Sequence, residues 1–199
     1  MNKNDLRYRK TEENLKQAFL SLMLQQDCRR ITIRQLCQAA QCARNTFYQH
    51  YPDLEALKAH LIGAVLTAIA DSFRAPKTDL AHIDTAQIRR YTQAIIASVS
   101  AQLTTLQALL AKDDGTFQKQ LADVIYTQVM AGDRGLSKVA DTAINRLNAA
   151  YLAAAVAGFI ARWLTEPAVS PAVAEQILFT IHQPTINTSS AYLATDPLK

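Results

Sequence analysis

The sequence predicts an all-α protein, and three observations carry that prediction. Glycine is scarce, with 5 in 199 residues, whereas alanine, leucine and glutamine are abundant, and these three residues favour helix over sheet. No run of alternating β-branched residues extends beyond a few positions, so the usual pattern of strands is missing. Apolar residues instead recur three and four positions apart, which is the spacing of one helix face.

The first helix is expected from about Thr11 to Gln26. Thr11 has the side chain of an N-cap, and two glutamates follow it in the favoured first turn. The apolar face expected to be buried contains Leu15, Ala18, Phe19 and Leu22. Arg7, Arg9 and Lys10 precede this helix, either as a basic arm that contacts DNA phosphates or as a solvated terminus without order.

The next two helices are expected to be short and to form a helix-turn-helix. Thr32 followed by Gln35 is a capping-box pattern, which predicts a helix beginning at about Ile33. A polar break at Gln41 ends that helix. The following segment carries Phe47 and Tyr51 four positions apart on its own apolar side. Two short helices with a tight turn between them are typical of helix-turn-helix.

The polar side of the second short helix carries donors and acceptors of the kind that contact base edges and phosphates. These residues are Arg44, Asn45, Thr46, Tyr48 and His50. In a helix-turn-helix, the N-terminal residues of the second helix enter the major groove. The alternative interpretation is an exposed polar helix face without a ligand, and the ring of Tyr48 has the further alternative of packing on the core.

This part of the sequence resembles the DNA-binding domain of the TetR family of transcriptional regulators. The resemblance is carried by Thr32-Ile33-Arg34-Gln35-Leu36-Cys37 followed by Ala39-Ala40, by Arg44-Asn45-Thr46-Phe47-Tyr48-Gln49-His50-Tyr51, and by Leu54-Glu55-Ala56-Leu57. It implies an N-terminal domain that binds double-stranded operator DNA and a helical C-terminal domain for regulation and dimerisation. It also implies phosphate contacts by Thr32 and Tyr48. Arg34 is a further candidate for DNA contact.

Three positions depart from the family pattern. Gln41 stands where the turn usually has glycine, so its backbone is expected to be left-handed at some cost. Ala43 stands where a serine-like cap is usual, which forfeits about 1 kcal/mol. Leu54 replaces a lysine and removes a phosphate contact. These departures motivate an alternative, in which the protein is a TetR-like co-regulator that acts mainly through a protein partner and binds DNA weakly or not at all.

The charge distribution agrees with the position of the helix-turn-helix. Residues 1–60 contain ten lysines and arginines against six acidic residues, so all of the net charge of +4 lies there. A domain that faces phosphates requires such an excess. By itself an excess of this size is also within the ordinary variation of protein surfaces.

The rest of the chain is expected to be a helical bundle. Helices are predicted over about Leu54–Phe73, Thr85–Ala111, Thr116–Met130, Ser137–Thr165 and Pro171–Pro184. Arg74–Asp79 ends the first of these helices, and Gly132 and Gly135 stop the third. Little order is predicted beyond Pro184. The corresponding domains are 1–53 (helix-turn-helix), 54–75 (connecting helix), 76–184 (regulation and dimerisation) and 185–199 (tail). The last two helices are either a homodimer interface or only the core of the second domain.

Several other classes of protein are disfavoured. The sequence contains no Gly-rich phosphate loop, Gly-x-Ser-x-Gly elbow or His-Glu-x-x-His motif, so we expect no enzyme. His60, His82 and His182 lack the spacing of metal ligands, and we expect neither a metal nor a cofactor. Cys28, Cys37 and Cys42 fit neither a disulfide framework nor a zinc site. Cys37 and Cys42 are expected to fill small core positions of the helix-turn-helix, and a redox-sensing role for one of the three is the alternative.

Localisation and effector are less clearly marked in the sequence. The first residues are polar and charged, and the longest apolar stretch, Ala149–Ala161, is shorter than a membrane span needs, so a cytoplasmic protein without a membrane partner is expected. The resemblance implies a small-molecule effector, whose chemical class the sequence leaves open. Five aromatic residues either line a cavity for this effector or belong to the core: Tyr91, Phe117, Tyr126, Tyr151 and Trp163.

Overall fold

The computed structural model describes residues 6–73, 84–111, 113–136 and 141–194, including all side chains in these ranges except those of 132–136 and 189–194. These residues form nine α-helices and one short 3-10 helix, and no strand occurs among them, so the all-α prediction is confirmed. The chain divides into two compact units. Met1–Val65 and Thr104–Asp114 form the first unit, and Leu66–Leu103 and Gly115–Lys199 form the second.

The first unit contains the predicted helix-turn-helix. In chain order its elements are α1 (Leu6–Gln25), a 3-10 turn (Cys28–Arg30), α2 (Ile33–Ala39), α3 (Arg44–His50), the first part of α4 (Leu54–Ser72) and most of α6 (Leu103–Leu110). Helix α1 packs on α2, and α2 packs on α3. The fully enclosed side chains of this unit include Leu15, Phe19, Leu36, Phe47 and Leu57. Their burial, at about 25 cal/mol per Å² of apolar area, is what holds helices as short as α2 and α3 in place.

Helix α1 begins earlier than predicted. It starts at Leu6, and Thr11 lies inside it with its hydroxyl donating to the carbonyl of Arg7 at 2.9 Å. A threonine that bonds the carbonyl four residues back is satisfied within a helix and does not cap one. Arg7, Arg9 and Lys10 are therefore exposed residues of the first turns of α1, and the prediction of a separate arm at these positions was wrong.

Helix α4 follows the prediction closely. It begins at Leu54, where the Asp53 carboxylate accepts a hydrogen bond from the backbone N–H of Ala56 at 2.7 Å. The predicted stripe is buried along its whole length, at Leu57, Leu61, Val65 and Ile69. Because these residues are four apart, one face of α4 supplies apolar side chains to the first unit and then to the second. The break predicted at Arg74–Asp79 lies outside the described residues.

The second unit is a helical bundle. Its elements are the end of α4, then α5 (Thr85–Ala101), α7 (Thr116–Leu136), α8 (Ala143–Trp163) and α9 (Pro171–Ala194). Helix α7 packs along α8, α5 packs along α9, and α8 contacts α9. Between α5 and α9, the Arg89 guanidinium lies 3.9 Å from the ring centre of Phe179 and 3.4 Å from the Glu175 carboxylate.

Two predicted helix ends in the middle of the chain were wrong. The helix expected to continue to Ala111 is interrupted at Gln102, whose N–H bonds to Ser100 and Val99 in a tight turn, before α6 begins. The β-branched pair Thr104-Thr105 after this turn favours helix only weakly. By contrast, α7 continues past its predicted end at Met130 and through both glycines to Leu136. Each glycine costs about 1 kcal/mol in a helix but keeps its hydrogen-bonding groups, so it weakens α7 without ending it.

The bounds of the last two helices also differ from the prediction. Helix α8 begins at Ala143, with Thr142 as its cap accepting from the N–H of Asn145 at 3.2 Å; the predicted start at Ser137 lies outside the described residues. Helix α9 begins at Pro171 as expected, but Pro184 does not end it. After Pro184, the hydroxyls of Thr185 and Thr188 donate to carbonyls one turn back, at 3.4 and 3.0 Å. The segment from 185 to 194, predicted to have little order, is therefore helical.

By length and apolar composition, α8 is the one single helix of the described ranges that could span a membrane; α5 and α6 pass the same test only when taken together. One side of α8 is buried by the bundle, including Leu152, Val156 and Ile160. Arg146 and Arg162 lie exposed near its two ends. A core helix of a bundle has the same composition, so the length of α8 is weak evidence for a membrane span.

Candidate nucleic-acid interface

The start of α2 has the predicted capping box. The Thr32 hydroxyl accepts from the N–H of Gln35 at 3.2 Å, and the Gln35 side chain accepts from the N–H of Thr32 at 2.9 Å. The Thr32 hydroxyl also donates to the same Gln35 oxygen at 2.9 Å. Thr32 and Arg34 are both exposed. The hydroxyl of Thr32 thus already has two partners within the chain, and a contact to DNA would add to them.

The turn between α2 and α3 has the hydrogen bonds of a Schellman motif. Gln41 N–H donates to the carbonyl of Gln38 at 3.3 Å, and Cys42 N–H donates to that of Cys37 at 3.0 Å. Gln41 has φ of 53°, so the expected left-handed backbone is confirmed. Glycine is the usual residue there because it has no Cβ to collide with the backbone. Gln41 therefore stores strain in the turn that sets the direction of α3.

Helix α3 begins without a side-chain cap. Ala43 has the extended backbone of an N-cap residue, φ −76° and ψ 152°, but no side-chain hydrogen bond reaches the first turn. The buried side of the helix is carried by Phe47, which is fully enclosed. Since α3 has only 7 residues, its position depends on its contacts with the rest of the unit, and Phe47 supplies the fully buried one.

Outside its buried anchor, α3 presents polar side chains to solvent. Arg44, Asn45 and Gln49 are exposed, and Thr46 is half-buried. Tyr48 is 49% exposed, and its ring contacts that of Phe47 edge to face, with 5.4 Å between the centroids. The ring of Tyr48 thus packs on the anchor while much of the side chain stays in solvent, and its contact with a phosphate stays a prediction. Gln49 was not among the predicted site residues, although its position beside Tyr48 gives it the same exposure.

His50 lies apart from this exposed side. Its ring stacks on that of Tyr8 in α1, with 3.9 Å between centroids and 26° between planes. Both ring nitrogens are buried without a hydrogen-bond partner among the described residues. Burial lowers the pKa of His50, with the nearby Lys16 acting in the same direction and Glu12 against it. His50 as a whole is half-buried, and its two nitrogens are not presented to a ligand.

A cluster around Glu12 joins three helices of the first unit, and no pattern in the sequence predicted it. The Glu12 carboxylate accepts from the Tyr51 hydroxyl at 3.1 Å and lies 3.2 Å from Lys16 Nζ and 3.7 Å from His60 Nε2. Burial raises the pKa of Glu12, but the hydrogen bonds from Lys16 and Tyr51 outweigh it, so the pKa lies below its usual 4.5. The pKa of Tyr51 is raised, first by burial and then by Glu12. The cluster ties the end of α3 to α1 and α4.

The aromatic residues considered for an effector cavity have different environments. Phe117 and Trp163 are buried, and the Trp163 indole donates to the carbonyl of Val169 at 2.9 Å. Tyr91 and Tyr126 are half-buried, whereas Tyr151 is 62% exposed. Burial raises the pKa of Tyr91. Tyr151 therefore belongs to the surface of α8. Among the described residues, no three His, Cys, Asp or Glu side chains form a group that could hold a metal ion.

Comparison with known proteins gives structural likeness only. No protein-family model matches the chain, and no curated protein matches its sequence. Among solved structures, a tetR-family transcriptional regulator from Streptomyces coelicolor superposes with a TM-score of 0.64 at 16% identity, over 92% of this chain and 83% of that one.

Two further solved structures superpose over most of their length. The fatty acid degradation regulator FadR from Bacillus halodurans gives a TM-score of 0.59 at 13% identity (88% and 94% covered), and the dihydroxyacetone kinase operon activator DhaS gives 0.58 at 15% (92% and 96%). At such identities the likeness concerns the fold. The chain has the all-α fold of these regulators, with an N-terminal helix-turn-helix, as its sequence resemblance to the TetR family implied.

Proposed function

We propose that this protein is a transcriptional regulator that binds a specific double-stranded DNA operator through α3. The observation that carries the proposal is the two-sided character of that helix. Phe47 anchors it in the first unit, and Arg44, Asn45 and Tyr48 are exposed to solvent. The excess of basic residues in 1–60 supports the same proposal, because phosphate contacts supply much of the affinity for DNA.

The proposed contacts divide into two kinds. Arg44, Asn45 and Thr46 read base edges, since they lie at the N-terminal end of α3, the part of a recognition helix that enters the major groove. Tyr48 and Thr32 contact phosphates, which position the protein without reading sequence.

Arg34 is assigned as a further phosphate contact, and its exposure on the first turn of α2 supports this role. Arg7, Arg9 and Lys10 on α1 are proposed to add electrostatic attraction to the DNA backbone. His50 was a candidate for DNA contact, and its stacked and enclosed ring assigns it instead to the packing of α3 on α1.

We further propose that the protein acts as a homodimer joined by the surfaces of α8 and α9. Leu147 and Tyr151 on α8 are 72% and 62% exposed, and Val173, Ile177 and Ile181 on α9 are 49%, 39% and 62% exposed. These residues are four apart along each helix, and α8 contacts α9. Exposed apolar side chains in such a row mark a protein interface. A second copy, meeting the same surface across a two-fold axis, is the simplest partner.

The dimer proposal is tested by replacing one exposed leucine. Leu147→Asp places a charge in the row on α8, and we expect it to convert the dimer to a monomer in sedimentation at micromolar concentration. Leu24→Asp is the matched control, because Leu24 is also exposed but lies on α1. A wild-type protein that sediments as a monomer, or a Leu147→Asp variant that stays dimeric, would contradict the proposed surface.

The dimer gives the DNA contact its specificity. Two recognition helices related by a two-fold axis engage half-sites about one helical turn apart, so the proposed operator is a pseudo-palindrome.

We propose that a small-molecule effector binds the second unit and favours an arrangement that does not bind DNA, so that it releases the operator by population shift. Helix α4 is continuous from the first unit into the second, which supports it as the coupling element. We also propose that the protein is a repressor and that it is located in the cytoplasm.

A co-regulator that acts through a protein partner is the second candidate. The strained turn at Gln41 and the missing cap at Ala43 leave α3 less well supported, and Leu54 at the start of α4 lacks the phosphate contact of a lysine, so all three favour a protein that binds DNA weakly. DNA binding distinguishes the two candidates. The protein is titrated against fragments from upstream of its own coding sequence, at two salt concentrations, beside a random fragment of equal length. The regulator predicts tight, salt-sensitive binding to one fragment over the random one. Equal, weak binding to all fragments would support the co-regulator.

A further inference from the structure

Two of the three cysteines meet across the turn between α2 and α3. Cys37 lies in the last turn of α2, and Cys42 is the second residue before Arg44, the first residue of α3. The Schellman turn joins them, because Cys42 N–H donates to the Cys37 carbonyl at 3.0 Å. In this motif the side chains at these two positions contact each other. Here the two side chains are thiols, and the nearby Cys37 raises the pKa of Cys42.

We propose that Cys37 and Cys42 form a reversible intramolecular disulfide when the protein meets a hydroperoxide. A disulfide needs two cysteines whose main chains are close, and the backbone hydrogen bond across the turn holds Cys37 and Cys42 in this way. Cys28 lies outside the turn, on the 3-10 helix, and takes no part.

The step balances with the hydroperoxide as the oxidant. The sulfur of Cys42, which is partly exposed, attacks the outer oxygen of the hydroperoxide, the O–O bond breaks, and an alcohol (or water) leaves. The sulfenic acid formed on Cys42 is then attacked by the sulfur of buried Cys37, the S–O bond breaks, and the departing oxygen leaves as water with the proton of the second thiol. Two thiols are oxidised to one disulfide and one peroxide bond is reduced.

The environment of Cys42 makes this reaction slow at neutral pH. Burial raises the pKa of Cys42 to about 11, and the neighbouring Cys37 acts in the same direction. Only the thiolate attacks the peroxide, and at pH 7 a thiol of this pKa is ionised in about one molecule in ten thousand. The rate should therefore increase about tenfold per pH unit, and the pair responds to sustained oxidant and not to a brief pulse.

The consequence for DNA rests on the proposed function. Bond formation brings the two sulfurs to about 2.05 Å from each other. The shift draws Cys42 towards α2 and changes the direction in which α3 leaves the turn. We expect the oxidised protein to bind its operator at least tenfold more weakly and to recover on addition of a dithiol reductant.

The disulfide is tested without DNA. A Cys28→Ser variant, which keeps only the pair, is treated with hydrogen peroxide at pH 7 and pH 9, blocked with an alkylating agent and digested with trypsin. Cleavage after Arg34 and Arg44 gives a peptide from Gln35 to Arg44 that holds both cysteines. The oxidised peptide should carry no alkyl groups and should be lighter by two hydrogens than the dithiol peptide. We expect it to form about a hundredfold faster at pH 9 than at pH 7.

Three results would overturn the disulfide: two alkylated thiols after oxidation, sulfinic acid on Cys42 with Cys37 still alkylated, or linkage between two chains. Cys28→Ser/Cys42→Ser is the matched control and should never give the lighter peptide. The DNA titration is then repeated with oxidised and reduced protein. Unchanged affinity would overturn the regulatory consequence alone. If even the reduced protein binds no fragment specifically, the proposed function fails while the disulfide stands.

Discussion

Tyr8 and His50 stack with 3.9 Å between their ring centres, and this contact joins the first turn of α1 to the end of α3. The two ring nitrogens of His50 are enclosed without a partner among the described residues. A histidine in such a site is held neutral, because protonation would bury an uncompensated charge. The stack therefore makes the position of α3 depend on the protonation state of one side chain.

Stability should fall as the pH falls. The pKa of His50 is below its usual 6.5 in the folded protein, so the unfolded chain binds the proton more readily. The stabilisation from neutral His50 is fully present above pH 6.5 and is lost progressively below it. His182, whose pKa burial also lowers, acts in the same direction. We expect a lower urea midpoint at pH 5.5 than at pH 7.5.

The contribution of His50 is isolated by His50→Phe, which keeps a ring on Tyr8 and removes the titrating group. This variant should lose part of the pH dependence, and His182 should account for what remains. An NMR titration of His50, assigned by its loss in the variant, should give a pKa below 6.5. A higher value, or an unchanged pH dependence in the variant, would show that the stack does not hold the ring neutral.

Glycine in place of Gln41 should stabilise the first unit. The left-handed φ of 53° costs an ordinary residue about 1 kcal/mol, and glycine avoids this cost. Gln41→Gly should therefore raise the free energy of unfolding by up to about 1 kcal/mol, measured by urea denaturation. Gln38→Gly is the matched control, since Gln38 is exposed inside α2, where glycine should destabilise by a similar amount. Destabilisation by both variants would contradict the strain assigned to the turn.

Restoring the cap of α3 should stabilise that helix. Ala43 has the backbone of an N-cap but no side-chain bond to the first turn. Ala43→Ser supplies an oxygen for that turn, and we expect a gain of about 1 kcal/mol in the free energy of unfolding. Ala39→Ser, at the exposed last residue of α2, should give no gain, because serine is a poorer helix former than alanine and caps no helix start there. A gain at position 39 equal to that at 43 would mean that capping is not the cause.

Local patterns in the sequence predicted much of the first unit. The capping box of Thr32 and Gln35, the left-handed backbone of Gln41 and the missing cap at Ala43 are each determined by residues within a few positions of one another. The buried stripe of α4 follows from helical spacing alone. Such features can be read from sequence because their partners are neighbours along the chain.

The missed features depend on distant partners or on competition between local preferences. Tyr51 and Glu12 are 39 positions apart, and no periodicity links them. His50 was predicted to be an exposed residue of α3, but its ring stacks on that of Tyr8 in α1. At Pro184, a strong local stop signal was outweighed because α9 regains its hydrogen bonds on the C-terminal side. The side chains of α3 could be predicted to be polar, but which of them face solvent depended on these contacts.

The proposed division of roles on α3 gives the last prediction. Arg44 is assigned to base edges and Tyr48 to a phosphate, and both side chains are exposed enough to be replaced without loss of the core. Arg44→Ala should cost about 1–3 kcal/mol on the operator and little on random DNA, because a base contact carries sequence information. Tyr48→Phe should weaken binding to operator and random DNA by equal factors, since it removes only the hydroxyl and keeps the ring on Phe47.

Both variants are measured by fluorescence anisotropy on operator and random duplexes at two salt concentrations. Gln17→Ala, an exposed residue of α1, is the control for effects of substitution as such. The ratio of operator to random affinity should fall for Arg44→Ala and stay constant for Tyr48→Phe. Equal losses on both duplexes for Arg44→Ala would remove it from base recognition. A change in that ratio for Tyr48→Phe would mean that its hydroxyl reads sequence, because a contact to phosphate alone weakens every duplex alike.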